Sequence, residues 1–509
     1  MLLAVLILAV YWPALRGGFI LDDEDLLQRS GQATWQQIWF STALPDYWPL
    51  TESMLHIEWG MWGSQTLGYH VVNLLLHLGA SVMVWRILKL LAMPGAFVTA
   101  LLFAVHPVNV ESVAWIVQRK NTLSMFWFLA SAWCYVRMET GGTIPRTRRL
   151  YWLALTCFVL ALLSKIAVVV LPPLLVLLIW WKRPLTKRDI FRIAPFFGLA
   201  GILSLVNLWF MAHANAEGIR AATLTQRVFG AGAVTWFYLW KAVLPLDLAF
   251  IYPKWKITSG NWLWAVPVLA TLATTVVLWF TRKATVSRAV LVGWLFFCIA
   301  LLPVMGLSDT GFMKFSLVAD HYQHIAIIAV LALAGAAVSQ ISKHKVRIGI
   351  LTVIVGALSL KAAQQASIYR DAVTLYRAAV DKNPTSWILH GNLADELLAA
   401  GQIEPALAEF RETLRLNPQS DDAHYFFGEA LLKMGAIDDA VVQLNETIKL
   451  PEEHYHLKAY HGLAQIYLSR GDKQQALAME RNAQDIARKH GLDQIMAQSE
   501  AWMQSVGLK

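Results

Sequence analysis

The chain has 509 residues, 57% of them hydrophobic and only 15% charged, with 23 Trp. Soluble domains carry about 25% charged residues, so the composition excludes an ordinary soluble enzyme and points to a membrane protein. The net charge of +9 does not indicate nucleic acid. Lys and Arg fall in short loops between apolar runs, not on one basic face with interleaved aromatics.

A membrane span needs about 20 apolar residues, fewer where flanking residues reach the interface. In chain order, the apolar runs predict eleven spans, near 1–15, 69–88, 93–106, 121–138, 150–164, 166–181, 192–212, 262–281, 288–306, 322–340 and 346–363. The first run lacks a basic leader and a small-residue cleavage site, so it reads as a retained span. Cys134, Cys157 and Cys298 lie inside apolar runs with neither metal nor disulfide spacing, as small apolar helix residues do.

One further apolar run, 228–245, decides the topology. If it spans, the basic loops at 282–288 and 343–347 oppose those at 146–149 and 182–192. If it is re-entrant or interfacial, every basic loop is cytoplasmic, as the positive-inside rule prefers. The second arrangement is expected. It places loops 16–68, 107–120, 213–261 and 307–321, the Ser164-Lys165 turn and the C-terminal domain on the outer face.

The composition changes near residue 366, predicting a transmembrane domain over 1–365 and a soluble helical domain over 366–509. Asn383-Pro384 recurs as Asn417-Pro418, and Pro451 follows at a similar step. Gly401, Gly435 and Gly471 align, as do Ala406, Ala440 and Ala476. A period of about 34 residues, with small residues where paired helices touch and proline where the second ends, is that of tetratricopeptide repeats. The expected fold is therefore all-α, a polytopic helix bundle followed by an α-solenoid. Such solenoids bind peptides or proteins along a concave surface, or serve as spacers and oligomerisation modules.

Candidate chemistry gathers on the expected outer face. Asp22-Asp23-Glu24-Asp25 directly follows the first span. Adjacent carboxylates at a low-dielectric surface raise one another's pKa, which suits a general base or a bound cation, and a solvated acidic cap has the same pattern. His106-Pro107 ends a span and leads through Glu111 to Arg119 and Lys120. The two cations break the basic-inside pattern, so a local anion, either a lipid phosphate or Glu111, is expected. Lys165 sits alone between apolar runs, placed either to snorkel or to hold a phosphate. Asp320, His321 and Tyr322 enter the tenth span, and Tyr47 and His70 lie in aromatic segments flanking the first long loop. Those segments fit sugar stacking or interfacial anchoring.

The motifs occur in the order acidic pair, Tyr47-x-Pro49-Leu50-Thr51, Tyr69-His70-x-x-Asn73 and His106-Pro107-Val108-x-x-Glu111-Ser112-Val113-Ala114. Leu163-Ser164-Lys165 and Ala319-Asp320-x-Tyr322 follow, then the repeats. The series resembles the transmembrane and tetratricopeptide-repeat-containing O-mannosyltransferases and their bacterial relatives, within the GT-C glycosyltransferase superfamily. The resemblance implies a polyprenyl-phosphate sugar donor entering from the bilayer, with an acid of the first outer loop as base. By it Asp23, ahead of Asp22, would be the base, with Lys165, Arg119 and His321 holding the donor phosphate. His106, Glu111, Asp320, Tyr322, Tyr47 and His70 would shape the pocket. The family usually shows Lys-Glu where this chain has Lys165-Ile166, and Ala-Asp-Arg-Tyr where it has Ala319-Asp320-His321-Tyr322.

The expected function is transfer of a hexose, mannose by the resemblance, to a Ser/Thr hydroxyl of a protein or peptide presented by the repeats. The membrane itself is the other expected partner. No cofactor is required by the sequence, although a carboxylate pair suits a divalent metal. The alternative is a non-catalytic, membrane-anchored scaffold that assembles proteins on the same face. The expected location is a bacterial inner membrane with periplasmic repeats, an endoplasmic-reticulum membrane with lumenal repeats having the same topology.

Overall fold

The computed structural model describes residues 1–42, 47–141, 143–213, 220–451 and 455–508. The long loops predicted at 16–68 and 213–261 therefore include short stretches outside the described residues, 43–46 and 214–219. The described residues are helical or irregular throughout, with no strand among them. They form two compact units, Met1–Leu375 and Tyr376–Lys509.

In the first unit each of the eleven predicted spans coincides with helical structure. Six helices are long and apolar enough to cross a membrane: Thr66–Leu90, Ile144–Ser164, Lys187–His213, Trp262–Thr281, Thr285–Val304 and His344–Ile368. A seventh arises if Ala96–Ala104 and Pro107–Ala114, bent by 52° at their junction, count as one span. Leu2–Tyr11, Ile166–Lys182 and Ile327–Ser339 are apolar but shorter, so length and apolarity alone carry fewer spans than eleven. The chain is an integral membrane protein. Leu75, Leu205, Leu269, Val277, Phe280 and Leu360 stay exposed, as lipid-facing side chains do. Phe103, Phe158, Phe196 and Tyr135 fill the interior.

Two features shape the bundle near the polar loops. The bend at His106 follows from Pro107, which lacks a backbone donor and suits only the first position of a new helical turn. At Gly95 (φ +72°) the backbone comes so close to Gly335 that a Cβ would lie 2.1 Å from the Gly335 carbonyl oxygen. Small residues at such crossings let membrane helices pack backbone to backbone.

Segment 16–68, predicted as a loop, folds into three helices, Asp23–Gln32, Trp35–Phe40 and Pro49–Trp62. Residues 228–243 of segment 228–245 belong to one unbroken helix, Leu224–Val243. Both of its ends touch polar connecting segments: Arg227 pairs with Asp309, and the Ala242 carbonyl meets His106.

The second unit pairs Trp387–Ala399 with Ile403–Leu416, Asp421–Lys433 with Ile437–Lys449, and His456–Ser469 with Lys473–Lys489, before a last helix, Asp493–Ser505. Gly401, Gly435 and Gly471 turn each pair at φ of +73°, +79° and +83°, left-handed positions that a side chain would strain. Ala406, Ala440 and Ala476 are fully buried. His390 and His424 each bond the carbonyl six residues back, at Pro384 (3.0 Å) and Pro418 (3.1 Å), so the period extends to hydrogen bonding.

Candidate active site

Within the acidic cluster the adjacent Asp22 and Asp23 have unlike environments. Asp23 is fully buried. Its Oδ2 accepts the Ile20 amide at 3.0 Å and its Oδ1 accepts the Val117 amide at 2.9 Å. The Asp23 amide closes the same turn on the Ile20 carbonyl at 3.1 Å. Leu21 sits in the turn at φ +57°, a conformation that costs a non-glycine residue about 1 kcal/mol or more and persists only when its surroundings enforce it. Asp23 supplies that enforcement. Asp22, next along, is exposed. Desolvation by the surrounding protein holds its carboxyl above the ordinary range, while the charges of Lys120 and Arg29 pull the other way. Glu24 and Asp25 are exposed on the helix that follows.

Arg119, a phosphate candidate by sequence, is turned inward and has no exposed surface. It forms an ion pair with Glu58, donates from Nε to Asn73 Oδ1 at 2.5 Å and from Nη2 to the Tyr69 carbonyl at 2.8 Å. Its anionic partner is thus Glu58, neither Glu111 nor a lipid phosphate. A guanidinium spent in this way locks helices Pro49–Trp62, Thr66–Leu90 and Arg119–Glu139 together. Lys120 takes the facing role. Its Nζ lies 4.1 Å from the centre of the Trp48 ring, and its field reaches Asp22, Glu111 and His321.

Lys165 donates to Asn121 Oδ1 at 2.5 Å, and its field also reaches Glu111 and His321. Thr51 binds the neighbouring Ser164 carbonyl at 3.0 Å, which joins two of the sequence motifs. Glu111 and His321 meet directly. The two carboxylate oxygens accept from the His321 amide at 3.0 Å and from its Nδ1 at 2.8 Å. Glu111 thus engages both the backbone and the ring of His321. His321 stands where the family usually has arginine. Asp320 accepts from the Tyr252 hydroxyl at 2.8 Å, and the Tyr322 and Thr310 hydroxyls lie 2.6 Å apart.

His106 is buried with both ring nitrogens bonded to backbone. Its Nε2 donates to the Ala242 carbonyl at 3.2 Å, and its Nδ1 accepts the Val108 amide at 3.4 Å. Tyr47 stacks on Phe210 with ring centres 4.4 Å apart, and His70 is buried beside Tyr69. Neither ring meets the acidic turn directly. The structure therefore ties Asp22, Lys120, Lys165, Glu111, His321 and Asp320 to one electrostatic neighbourhood. Arg119, His106 and His70 are buried.

Sequence reasoning gave no role to Glu52, Glu58, Asn121 or Tyr252. Glu52 is buried on helix Pro49–Trp62, and burial pushes its carboxyl up to about 7 against the pull of Arg29. Among the described residues, no group of three or more His, Cys, Asp or Glu is placed to hold a metal ion.

A protein O-mannosyl-transferase of Caenorhabditis elegans is 24% identical over 412 residues, covering 76% of this chain and 58% of that protein. A human protein O-mannosyl-transferase is 29% identical over 153 residues, 27% of this chain and 17% of that protein. The chain is similar to these protein O-mannosyl-transferases over part of their length. It spans a little over half the length of the nematode relative. The tetratricopeptide repeat family model matches residues 397–453. The solved structure of ArnT from Cupriavidus metallidurans bound to undecaprenyl phosphate aligns with 91% of this chain and 80% of its own, at 16% identity and a TM-score of 0.38.

Proposed function

We propose that this relative of the O-mannosyl-transferases is a GT-C membrane glycosyltransferase that moves a hexose, mannose in the first instance, from a polyprenyl-phosphate donor to a Ser/Thr hydroxyl. The acceptor is a protein or peptide presented by the repeats on the periplasmic or lumenal face. The observation that carries this reading is the exposed Asp22 carboxylate, set beside Lys120 on a turn that buried Asp23 holds in place.

In the reaction Asp22 takes the proton of the acceptor hydroxyl. The oxygen attacks the anomeric carbon from the face opposite the phosphate, the new C–O bond forms, and the bond to phosphate breaks with its electron pair leaving on phosphate. The sugar is inverted by that geometry. Lys120 and Lys165 stabilise the charge growing on the leaving group, a contribution that is large where water is sparse. Glu111 and His321 form a fixed wall.

The test is transfer of labelled mannose from polyprenyl-phosphate mannose to a Ser/Thr peptide in vesicles. Loss of transfer in Asp22→Asn supports the reading, and full activity in that variant removes it. The rival reading, a membrane-anchored scaffold, rests on the repeat match at 397–453. It predicts that Asp22→Asn is silent while partner capture persists.

A further inference from the structure

A second cluster of acids, inside the repeat unit, is used by no step above. Helix Trp387–Ala399 supplies Asp395, and the start of helix Asp421–Lys433 supplies Asp421 and Asp422. The charges of all three reach Tyr455, just before the following helix. Tyr455 stacks on Tyr425 with ring centres 5.2 Å apart and planes 21° apart, and Phe426 meets it edge-on at 5.1 Å. The patch thus combines carboxylates from two successive repeats with a face of three aromatic rings.

Its carboxylates are not equivalent. Asp422 is occupied within its own helix start, taking the Ser420 hydroxyl and the Ala423 amide. Asp421 is only 9% exposed, and its Oδ2 is buried with no hydrogen-bond partner. Oδ1 of Asp395 is likewise buried and unpartnered. Buried carboxylate oxygens are almost always bonded in native proteins, and leaving them bare costs free energy. Burial, with the charges of Asp422 and Glu396, pushes the Asp395 carboxyl up to about 8. The cation nearest the rings, Lys458, lies 5.3 Å from the Tyr455 ring centre.

We propose that this patch is a binding site for the cationic side chain of a partner peptide, a guanidinium in preference to an ammonium. A planar guanidinium can lie on an aromatic face while its fork of N–H donors meets carboxylate oxygens, which a compact ammonium cannot do as well. The bare oxygens of Asp395 and Asp421 are the acceptors it satisfies. The partner is therefore a protein segment bearing arginine. The proposal concerns binding alone and stands whether or not the membrane unit transfers sugar.

The experiment uses the full chain in detergent micelles and fluorescence anisotropy of labelled decapeptides that carry arginine, lysine or neutral citrulline at the same positions. The arginine peptide is expected to bind about tenfold or more tighter than the citrulline peptide, with lysine between them. Asp395→Asn and Asp421→Asn should each weaken arginine binding several-fold and leave citrulline binding unchanged. Both changes keep the shape of the side chain, so neither is expected to unfold the repeat, and far-ultraviolet circular dichroism checks this. Glu446→Gln, at an acid paired with Lys449 elsewhere on the unit, should bind like the parent. Equal binding of the arginine and citrulline peptides overturns the proposal. So does undiminished arginine binding by the Asp395→Asn, Asp421→Asn double variant, or an equal loss in Glu446→Gln.

Discussion

Asp23 Oδ1 accepts the amide of Val117 at 2.9 Å across 94 positions of sequence. This bond, with the one from Ile20, makes Asp23 the fastener of the turn that presents Asp22. Asp23→Asn places an amide group where two backbone donors point. A buried donor left facing another donor costs about 1–3 kcal/mol. Asp23→Asn should therefore lower both thermal stability and transfer. Asp22→Asn should keep the parent melting temperature and lose about 10²–10⁴ in transfer rate. Parent-like melting of Asp23→Asn in micelles would contradict this division of labour.

Arg119 and Glu58 form an ion pair in which both side chains are almost wholly buried. Removing one partner leaves a bare charge and costs about 3–5 kcal/mol, whereas replacing both with apolar residues of similar volume is often neutral. Glu58→Leu and Arg119→Met should each be strongly destabilised in thermal melts, and the double variant should recover most of the loss. Arg119→Lys should rescue little, because one ammonium cannot replace the fork that reaches Asn73 and Tyr69.

Lys120 and Lys165 should separate in their pH profiles. Asp22 must be ionised to act as base, so transfer rises with pH through its pKa, which lies above the ordinary aspartate value. Lys120 lowers that pKa, and Lys120→Gln should move the acid limb of kcat/KM to higher pH. Lys165 acts on Glu111 and His321. Lys165→Gln should lower kcat by roughly 10–100-fold, as loss of a leaving-group contact does, with the acid limb in place. An unmoved limb in Lys120→Gln would separate that lysine from the base.

Glu52 gives a pH dependence of stability with a definite sign. Its folded pKa of about 7 exceeds the unfolded value near 4.5. Between those values the folded state holds more protons than the unfolded chain, so stability falls as pH rises. Glu52→Gln should remove part of this slope, visible as a flatter melting temperature from pH 4.5 to 7. An identical slope in parent and variant would show that Glu52 ionises freely in the folded protein.

The repeats were legible because their period is written in residues with one physical duty each, such as the left-handed glycines at 401, 435 and 471. The apolar helices were legible because lipid demands apolar runs, although six or seven of them, against eleven expected, are long and apolar enough to cross. The site was legible only in outline. Arg119 and Lys120 are consecutive at a helix start, and consecutive helix positions point about 100° apart. Which of the two turns inward depends on Glu58, on a helix within a segment that reads as loop. Asp22 and Asp23 are likewise adjacent and alike in composition. The amides of Ile20 and of the distant Val117 distinguish fastener from presented acid.

The 94-residue gap between Asp23 and Val117 also fixes a sequence of events during synthesis. At about 5–20 residues per second, a ribosome needs on the order of 5–20 s to make the second partner after the first. Throughout that interval the left-handed turn at Leu21 lacks one of the two bonds that hold it. The presented acid thus acquires its geometry only after residues 107–118 have been made, so a nascent chain stalled earlier carries the residue without the site.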